Sequence, residues 1–298
     1  MSSPSESARG ALYALAAYGA WGLSPLFWKQ FGDVPPEELL AHRVVWAMVV
    51  FYLLLRAAGR GKQFFSAWRD RATVLAMLAS SALIGCNWFL YIWSVTHEHI
   101  VEASLGYFIN PLVNVVLGTI FLKERLRPLQ WVAVLLAASG VLLLTVSVGR
   151  IPWIALTLAG SFGIYGLVRK TAPVDALLGS NLETSLLAPL GAGWLIWMTS
   201  SGQIQSGGSV GQWGWLLGTG LMTALPLLWF SNAARRLPLS ILGFFQYIAP
   251  TGQLLLGVLL YNEPFSAVEL RSFVMIWSAL ALLTIETWMH SRRPANAA

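Results

Sequence analysis

A chain of 298 residues that is 56% apolar and 11% charged carries less than half the charge of an ordinary soluble domain, about 25%. Its mean hydropathy is +0.64, and no soluble core of this size hides so much apolar surface, so composition leaves a polytopic membrane protein. The net charge of +6 is scattered through short loops with no basic face or stripe, which argues against nucleic acid, and the lone Cys86 excludes an intramolecular disulfide.

Residues 1–9 read as a polar N-terminal tail. The first apolar run, 10–31, is punctuated by Tyr13, Trp21, Pro25 and Trp28 and lacks a signal-peptide cleavage pattern, so it reads as a retained helix. A spanning helix needs about 20 mostly apolar residues, and nine further runs qualify: 36–56, 72–95, 100–122, 128–148, 151–169, 175–199, 211–234, 238–261 and 266–289. Residues 290–298 form a C-terminal tail.

Several of these runs carry polar groups at depth. The second holds His42 and Arg43 inside "ELLAHRVVWAMVVFYLLLR" (38–56), where an arginine costs roughly 2.5–3.5 kcal/mol on insertion scales. On the third, Asn87, Tyr91 and Ser94 share a face, with Trp88 and Trp93 beside them. Between the third and fourth, "THEHIVE" (96–102) has the composition of a metal cluster but not the spacing, and reads as a solvated loop. On the fourth, Tyr107, Asn110 and Asn114 recur at i, i+3 and i+7, with Pro111 expected to interrupt the helix. The seventh holds Glu183, the second intramembrane charge. The ninth offers Gln246 and Gln253 at spacing seven, with Tyr247 alongside and Pro250 as the matching interruption. Interrupted helices are tolerated where they line a cavity.

Ten spans put both termini on one face. Arg9, Arg56, Arg60, Lys62, Arg69, Arg71, Lys123, Arg125, Arg127, Arg169, Lys170, Arg235, Arg236, Arg292 and Arg293 fall on that side, and Lys29, Arg150 and Arg271 on the other. Basic loops mark the cytoplasmic face, so both termini are expected there.

The two halves of the sequence overlay. "ALAAYGAWGLSPLFWK" (14–29) aligns on "ALTLAGSFGIYGLVRK" (155–170), matching Gly19 with Gly160 and Gly22 with Gly163. "LGYFINPLVNVVLGTIFLKE" (105–124) aligns on "LGFFQYIAPTGQLLLGVLLYNE" (242–263), matching Pro111 with Pro250 and Glu124 with Glu263. Five spans in each half force the second to enter from the opposite face. The expected fold is therefore an all-α integral membrane protein of ten transmembrane helices in two inverted five-helix repeats, 10–148 and 151–289, the architecture of secondary transporters.

With the repeats in view, the chain resembles the EamA-type permeases of the drug/metabolite transporter superfamily, and within them the RarD branch. The resemblance is carried by "AYGAWGLSPLFWK" (17–29), "PPEELLAHRVVW" (35–46), "NWFLYIWSV" (87–95), "EASLGYFINPL" (102–112) and "LKERLRPLQWVAV" (122–134). In the second half it is carried by "SFGIYGLVRK" (161–170), "LETSLLAPL" (182–190), "TALPLL" (223–228), "LPLSILGFFQYIAPT" (237–251) and "NEPFS" (262–266). It implies a permease of small molecules in a bacterial cytoplasmic membrane. The superfamily handles amino acids, other metabolites and lipophilic drugs, usually outward, and the branch name refers to chloramphenicol sensitivity without fixing a substrate.

The expected substrate pathway comprises Arg43, Glu183, Asn87, Trp88, Tyr91, Ser94, Tyr107, Asn110, Asn114, Ser231 (the repeat mate of Ser94), Gln246, Tyr247 and Gln253. The alternative for each amide is a hydrogen bond tying helices together. Arg43 and Glu183 lie seven and eight residues into equivalent helices from opposite faces, about 10–12 Å deep; the expected approach of the two to each other stands beside the alternative that each meets backbone carbonyls or another polar side chain separately. His42 or Glu183 is a candidate gating or proton-linked group. Gly19, Gly22, Gly160 and Gly163 are candidates for close helix packing and Pro25 for a bend, with a hinge role the alternative for these and for Pro111 and Pro250; Trp21, Trp28 and Tyr18 are candidate aromatic walls or interfacial anchors. The repeated glutamates, Glu124 and Glu263, read as caps or surface contacts.

No Walker A motif is present, so a secondary transporter is expected, with alternating access around a midplane site and no cofactor. Proton-coupled exchange and facilitation both stay open. An intramembrane enzyme is the competing class, but only His42 among the histidines lies within a span, and it has no serine or cysteine near it in sequence. A channel or non-transporting scaffold is the other. Expected partners are a small-molecule substrate and the lipid bilayer; homodimerisation is left open.

Overall fold

A computed structural model describes residues 4–122, 127–236 and 245–291, and every regular element among them is helical. In chain order these are α1 (Pro4–Gly22), α2 (Ser24–Trp28), α3 (Pro36–Ala57), α4 (Gly61–Ala67), α5 (Arg71–Thr96), α6 (Ile100–Leu122), α7 (Pro128–Val148), α8 (Trp153–Thr171), α9 (Ala176–Ser200), α10 (Val210–Arg236), α11 (Ile248–Leu255) and α12 (Ala267–Ser291). Among the described residues four helical stretches are long and apolar enough to cross a membrane: Pro36–Ala57, Arg71–Thr96, Pro128–Ser147 and Val210–Phe230. Large apolar side chains such as Leu135, Leu142 and Val146 on α7, and Leu190 and Ile196 on α9, face outward. A helix with apolar residues on its outer face as well as its inner one belongs in lipid.

The helices pack in a regular pattern. α1 lies against α10 and α11, and α8 against α5 and α6. α3 packs on α9 and α10, α9 also on α5, and α7 on α12. The largest apolar core gathers side chains of α6, α7, α8, α11 and α12, including Leu105, Phe108, Phe273 and Ile276. A second, around Trp28, Leu39, Tyr91 and Ile92, sits where α2, α3, α5 and α6 meet α8 and α10.

Chain punctuation explains where the expected spans differ. α1 begins at Pro4, inside the segment read as a tail, because Glu6 pairs with Arg236 at 3.1 Å and with Arg9 at 3.2 Å. The run 10–31 is not one helix. Pro25 has no N–H for the carbonyl of Trp21, so the helix stops at Gly22 and restarts as α2, followed by a 3₁₀ turn over Lys29–Phe31. Two side chains take over that carbonyl: the Ser24 hydroxyl donates to it at 2.7 Å and the Gln253 amide at 3.1 Å.

The expected interruption at Pro111 is corrected: α6 runs unbroken from Ile100 to Leu122, as prolines within packed membrane helices allow. Pro250 lies in the first turn of α11, where its missing N–H breaks no bond, and the irregularity comes later as a π turn over Leu256–Leu260. Two more prolines lie inside helices, Pro189 on α9 and Pro226 on α10.

The expected glycine contacts divide in the same way. A Cβ on Gly22 would lie 3.3 Å from the backbone of Ala249, and one on Gly252 3.2 Å from Gly22 itself, so α1 and α11 cross backbone to backbone there. Gly19 and Gly160 have nothing within 4 Å of a Cβ and do not mark helix crossings. Gly163 is buried on α8.

Candidate functional site

Two buried charges organise the interior, and they do not meet. Arg43 follows from α3 as a helix whose first turn is anchored by Pro36 and Glu38 and whose inner face also carries Leu39, Val44 and Ala47. Its side chain is only 8% exposed. The guanidinium lies over the rings of Trp88 at 4.2 Å and Trp28 at 5.2 Å, and Nε donates to Thr223 Oγ1 on α10 at 3.1 Å. The phenols of Tyr91 and Tyr107 are within electrostatic reach.

Glu183, 2% exposed on α9, has a different set of partners. It accepts from the Ser80 hydroxyl on α5 and from Tyr165 Oη at 3.4 Å, and Arg169 Nε stands 3.6 Å away. Arg169 reaches it from the end of α8 by crossing the bare backbone of Gly179, where no Cβ would fit, and donates on the way to the carbonyls of Asp175 and Ala176. The expected approach of Arg43 to Glu183 is therefore corrected. A local cation neutralises Glu183, and Arg43 rests on aromatic faces.

Between the two charges runs a chain of rings. Tyr91 and Tyr107 meet edge-on at 5.8 Å, Tyr107 and Phe162 at 6.3 Å, and Phe162 and Tyr165 at 5.7 Å. Neutral polar groups along it are mutually satisfied. Tyr91 Oη and Ser24 Oγ are 2.5 Å apart; Ser24 donates to Trp21 O, so Tyr91 is the donor of that bond. Asn87 donates to Leu158 O and Ser161 Oγ, both at 3.0 Å, and accepts from Tyr107 Oη at 3.3 Å. Asn87 thus ties α5, α6 and α8 together, the helix-joining role set against the pathway role for each amide.

The other expected residues scatter. Ser94 is fully buried and its hydroxyl donates to Leu90 O of its own helix, so it offers nothing to a solute in this conformation. Asn110 is buried with Oδ1 unpartnered, and Gln253 uses its amide on Trp21 O while Oε1 is unpartnered. Gln246 and Tyr247 are half-buried just ahead of α11, and Tyr247 packs on the largest core. The side chains of Asn114, Pro111 and Ser231 lie outside the described residues, as does Glu124. His42 is buried 2.9 Å from Ser206 Oγ and edge-on to Trp213, facing the α9–α10 loop, whose Gln205 and Ser206 amides donate to Glu38. Trp28 is 1% exposed, which makes it a wall for Arg43 and not an interfacial anchor.

A cleft of about 230 Å³ opens elsewhere, beside "THEHIVE", and three of the glutamates lining it, Glu102, Glu263 and Glu269, already have partners. Glu263 accepts from the amides of Ile100 and Val101 at 2.9 Å and so caps α6, Glu269 caps α12 through Ser266 N, and Glu102 stands 3.9 Å from Arg150. His97 and His99 both stack on Trp93.

Sequence reasoning passed over Ser24, Ser80, Tyr165, Arg169 and Thr223. Arg169 was counted as a loop charge. The available signal was that Glu183 needs a cation and that "LVRK" places one a single interhelical turn away.

A chain whose described elements are all helical, with outward apolar faces and long apolar helices, is a multi-pass membrane protein, and its relatives are transporters. The EamA-like transporter family matches residues 8–146. The chain is 44% identical to an uncharacterized transporter, YojE, of Bacillus subtilis, over 94% of each. It is 43% identical to Protein RarD of Escherichia coli, over 98% of this chain and 99% of that one. A Pseudomonas aeruginosa relative named chloramphenicol-sensitive protein RarD is 31% identical over 93% of each. A solved crystal structure shares the fold, with a TM-score of 0.62 and 21% identity over 93% of this chain and 97% of that one. The protein is thus a membrane transporter. It belongs to the EamA-type permeases of the drug/metabolite transporter superfamily, in the RarD branch.

Proposed function

We propose that the chain is a secondary carrier of small molecules that works by alternating access between two inverted five-helix repeats, 10–148 and 151–289. The observation that carries this reading is the helix packing. Exchanging the halves turns α1 on α10 into α8 on α5, α1 on α11 into α8 on α6, and α3 on α10 into α9 on α5, and each of these contacts is made. α3 on α9 and α7 on α12 map onto themselves. A packing scheme that survives exchange of its halves supports two states of similar energy, one open to each face, with the site between them.

Arg43 is bonded across this junction to Thr223, and Glu183 to Ser80. The solute site is placed beside Arg43, walled by Trp28, Trp88, Tyr91 and Tyr107. The basic-loop count puts both termini in the cytoplasm of a bacterial cell, with the protein in its cytoplasmic membrane. The solutes are amino-acid-like metabolites or amphipathic drugs moved outward. Glu183 and His42 are the groups that link movement to protons or to gating, and homodimerisation is compatible with the outward apolar faces.

The test is reconstitution of the purified full chain in liposomes, with uptake and counterflow of pooled amino acids, metabolites and drugs measured with and without a pH gradient. Saturable movement of at least one pool is expected. Movement of none under either condition overturns the carrier reading.

A further inference from the structure

Arg43 is a buried cation whose hydrogen-bonding edge is unfilled. A guanidinium has five N–H donors, all in its own plane. One, on Nε, goes to Thr223, and among the described residues Nη1 and Nη2 meet no acceptor. The contacts with Trp28 and Trp88 do not change this, because ring faces meet the guanidinium face and leave the in-plane donors unused. The buried acids of α3 and α9 are both committed to other groups. Glu38 receives the amides of Gln205 and Ser206, and Glu183 receives Ser80, Tyr165 and the cation of Arg169. The neutral groups Ser24, Asn87, Tyr91 and Tyr107 already have partners, among one another and on Trp21 O, Leu158 O and Ser161.

We infer that the free edge of Arg43 binds the carboxylate of the transported solute, whose apolar or aromatic body lies against Trp88, Tyr91 and Tyr107. This rests on the reading of the chain as a carrier with its site at Arg43. A carboxylate is planar, matches two parallel N–H donors, and brings one negative charge to one unneutralised positive charge. A phosphate dianion would need a second cation, and Arg169, the part-buried arginine of α8, is already spent on Glu183. The same arrangement explains why an arginine is kept at this depth. Lysine offers a point charge, whereas the flat guanidinium stacks on tryptophan with its face and binds the anion with its edge.

The experiment uses the purified full chain in detergent. Benzoate, phenylacetate, phenylpropionate and indoleacetate are each compared with the corresponding amide, and inorganic phosphate is run beside them. Binding is read by the thermal unfolding midpoint and by quenching of tryptophan fluorescence. At least one acid is expected to raise the midpoint and quench fluorescence while its amide and phosphate do neither. Arg43→Lys, which keeps the charge and so the fold, is expected to weaken that acid by about tenfold or more, the loss of one bidentate charge-assisted pair. Thr223→Val, which frees the guanidinium to rotate, is expected to weaken it by roughly three- to tenfold, the worth of one hydrogen bond.

The inference is overturned if no acid binds, if an amide or phosphate binds as tightly as the best acid, or if Arg43→Lys leaves affinity unchanged. Its failure is separable from that of the carrier reading. Arg43-dependent binding of an acid that is never moved across liposomes supports the inference and removes the carrier. Movement of neutral or cationic solutes that is indifferent to Arg43→Lys removes the inference and supports the carrier.

Discussion

Arg43 on α3 and Glu183 on α9 do not touch, and each bonds instead to a helix in the opposite half of the sequence: Arg43 to Thr223 on α10, Glu183 to Ser80 on α5. The ion pair that neutralises Glu183 joins α8 to α9 and lies wholly within the second half. Sliding one half past the other therefore costs hydrogen bonds to charged groups, about 1.5–3 kcal/mol each. A salt bridge between the halves would cost about 3–5 kcal/mol to break with both charges left buried. Keeping the pair inside one half makes the junction cheaper to rearrange.

The dependence of Glu183 on Arg169 is testable by stability. Arg169→Leu leaves the carboxylate buried without a cation and is expected to cost about 3–5 kcal/mol, whereas Arg169→Leu with Glu183→Leu recovers most of it. Gly179→Ala is expected to act in the same direction without changing any charge, because its Cβ takes the space the guanidinium crosses. Thermal unfolding of the purified variants checks all three. A double variant no more stable than Arg169→Leu would mean that the pair is not what holds this region.

How much of this was legible beforehand depends on what each residue answers to. Burial of Arg43 was legible, because lipid penalises the charge wherever else it might point. Its partner was not, since pairing depends on the rotation of α3, and one residue is about 100° on a helix. His42 consequently faces Ser206 while its neighbour Arg43 faces Thr223. Arg169 was misread for a related reason. Counting charges by loop assigns each to its Cα, whereas a long stem carries the head several ångströms along the helix. The bend at Pro25 was legible from its missing N–H, but the rescue of Trp21 O by Gln253 was not, because the two residues are 232 positions apart.

The glycines give a second contrast. Gly22→Ala is expected to force α1 and α11 apart and to cost about 1–3 kcal/mol, the usual range for overpacking. Gly19→Ala, three residues earlier on the same helix with open space around it, is expected to be neutral or stabilising by up to about 1 kcal/mol. Unfolding midpoints of the two variants are compared under one condition. Equal destabilisation would show that the crossing of α1 and α11 is not tight.

Asp70 makes part of the stability pH-dependent. It caps α5, accepting from Thr73 Oγ1 at 2.5 Å and Thr73 N at 3.1 Å, and those bonds hold its pKa below the ordinary 3.8, the side-chain bond acting most. A carboxyl with a lowered folded pKa contributes stability above its unfolded value and loses it as pH falls through the folded value. The difference in unfolding midpoint between the parent and Asp70→Ala is expected to be constant from pH 7 to about 5 and to shrink below 3.8. Asp70→Asn, which still caps but does not ionise, is expected to stay near the parent at neutral pH. A parent-to-alanine difference that persists unchanged at pH 3 would contradict the cap's ionic character.

Two buried glutamates act as caps for backbone far away in sequence. Glu38 takes the amides of Gln205 and Ser206 and so holds the α9–α10 loop against the start of α3, beside His42. Glu263 takes the amides of Ile100 and Val101 and so holds the chain after the π turn against the start of α6. Each carboxylate satisfies two donors that water would otherwise have to reach. Alanine at either site is expected to cost at least about 2 kcal/mol, from two charge-assisted bonds lost and the donors left buried. The two variants should differ in where protection is lost. In amide hydrogen exchange, Glu38→Ala should speed exchange at Gln205 and Ser206 and leave α6 unchanged, and Glu263→Ala should speed exchange at Ile100 and Val101 and leave the α9–α10 loop unchanged. Loss of protection spread evenly over both regions would mean that each glutamate supports the whole fold and neither is a local clasp.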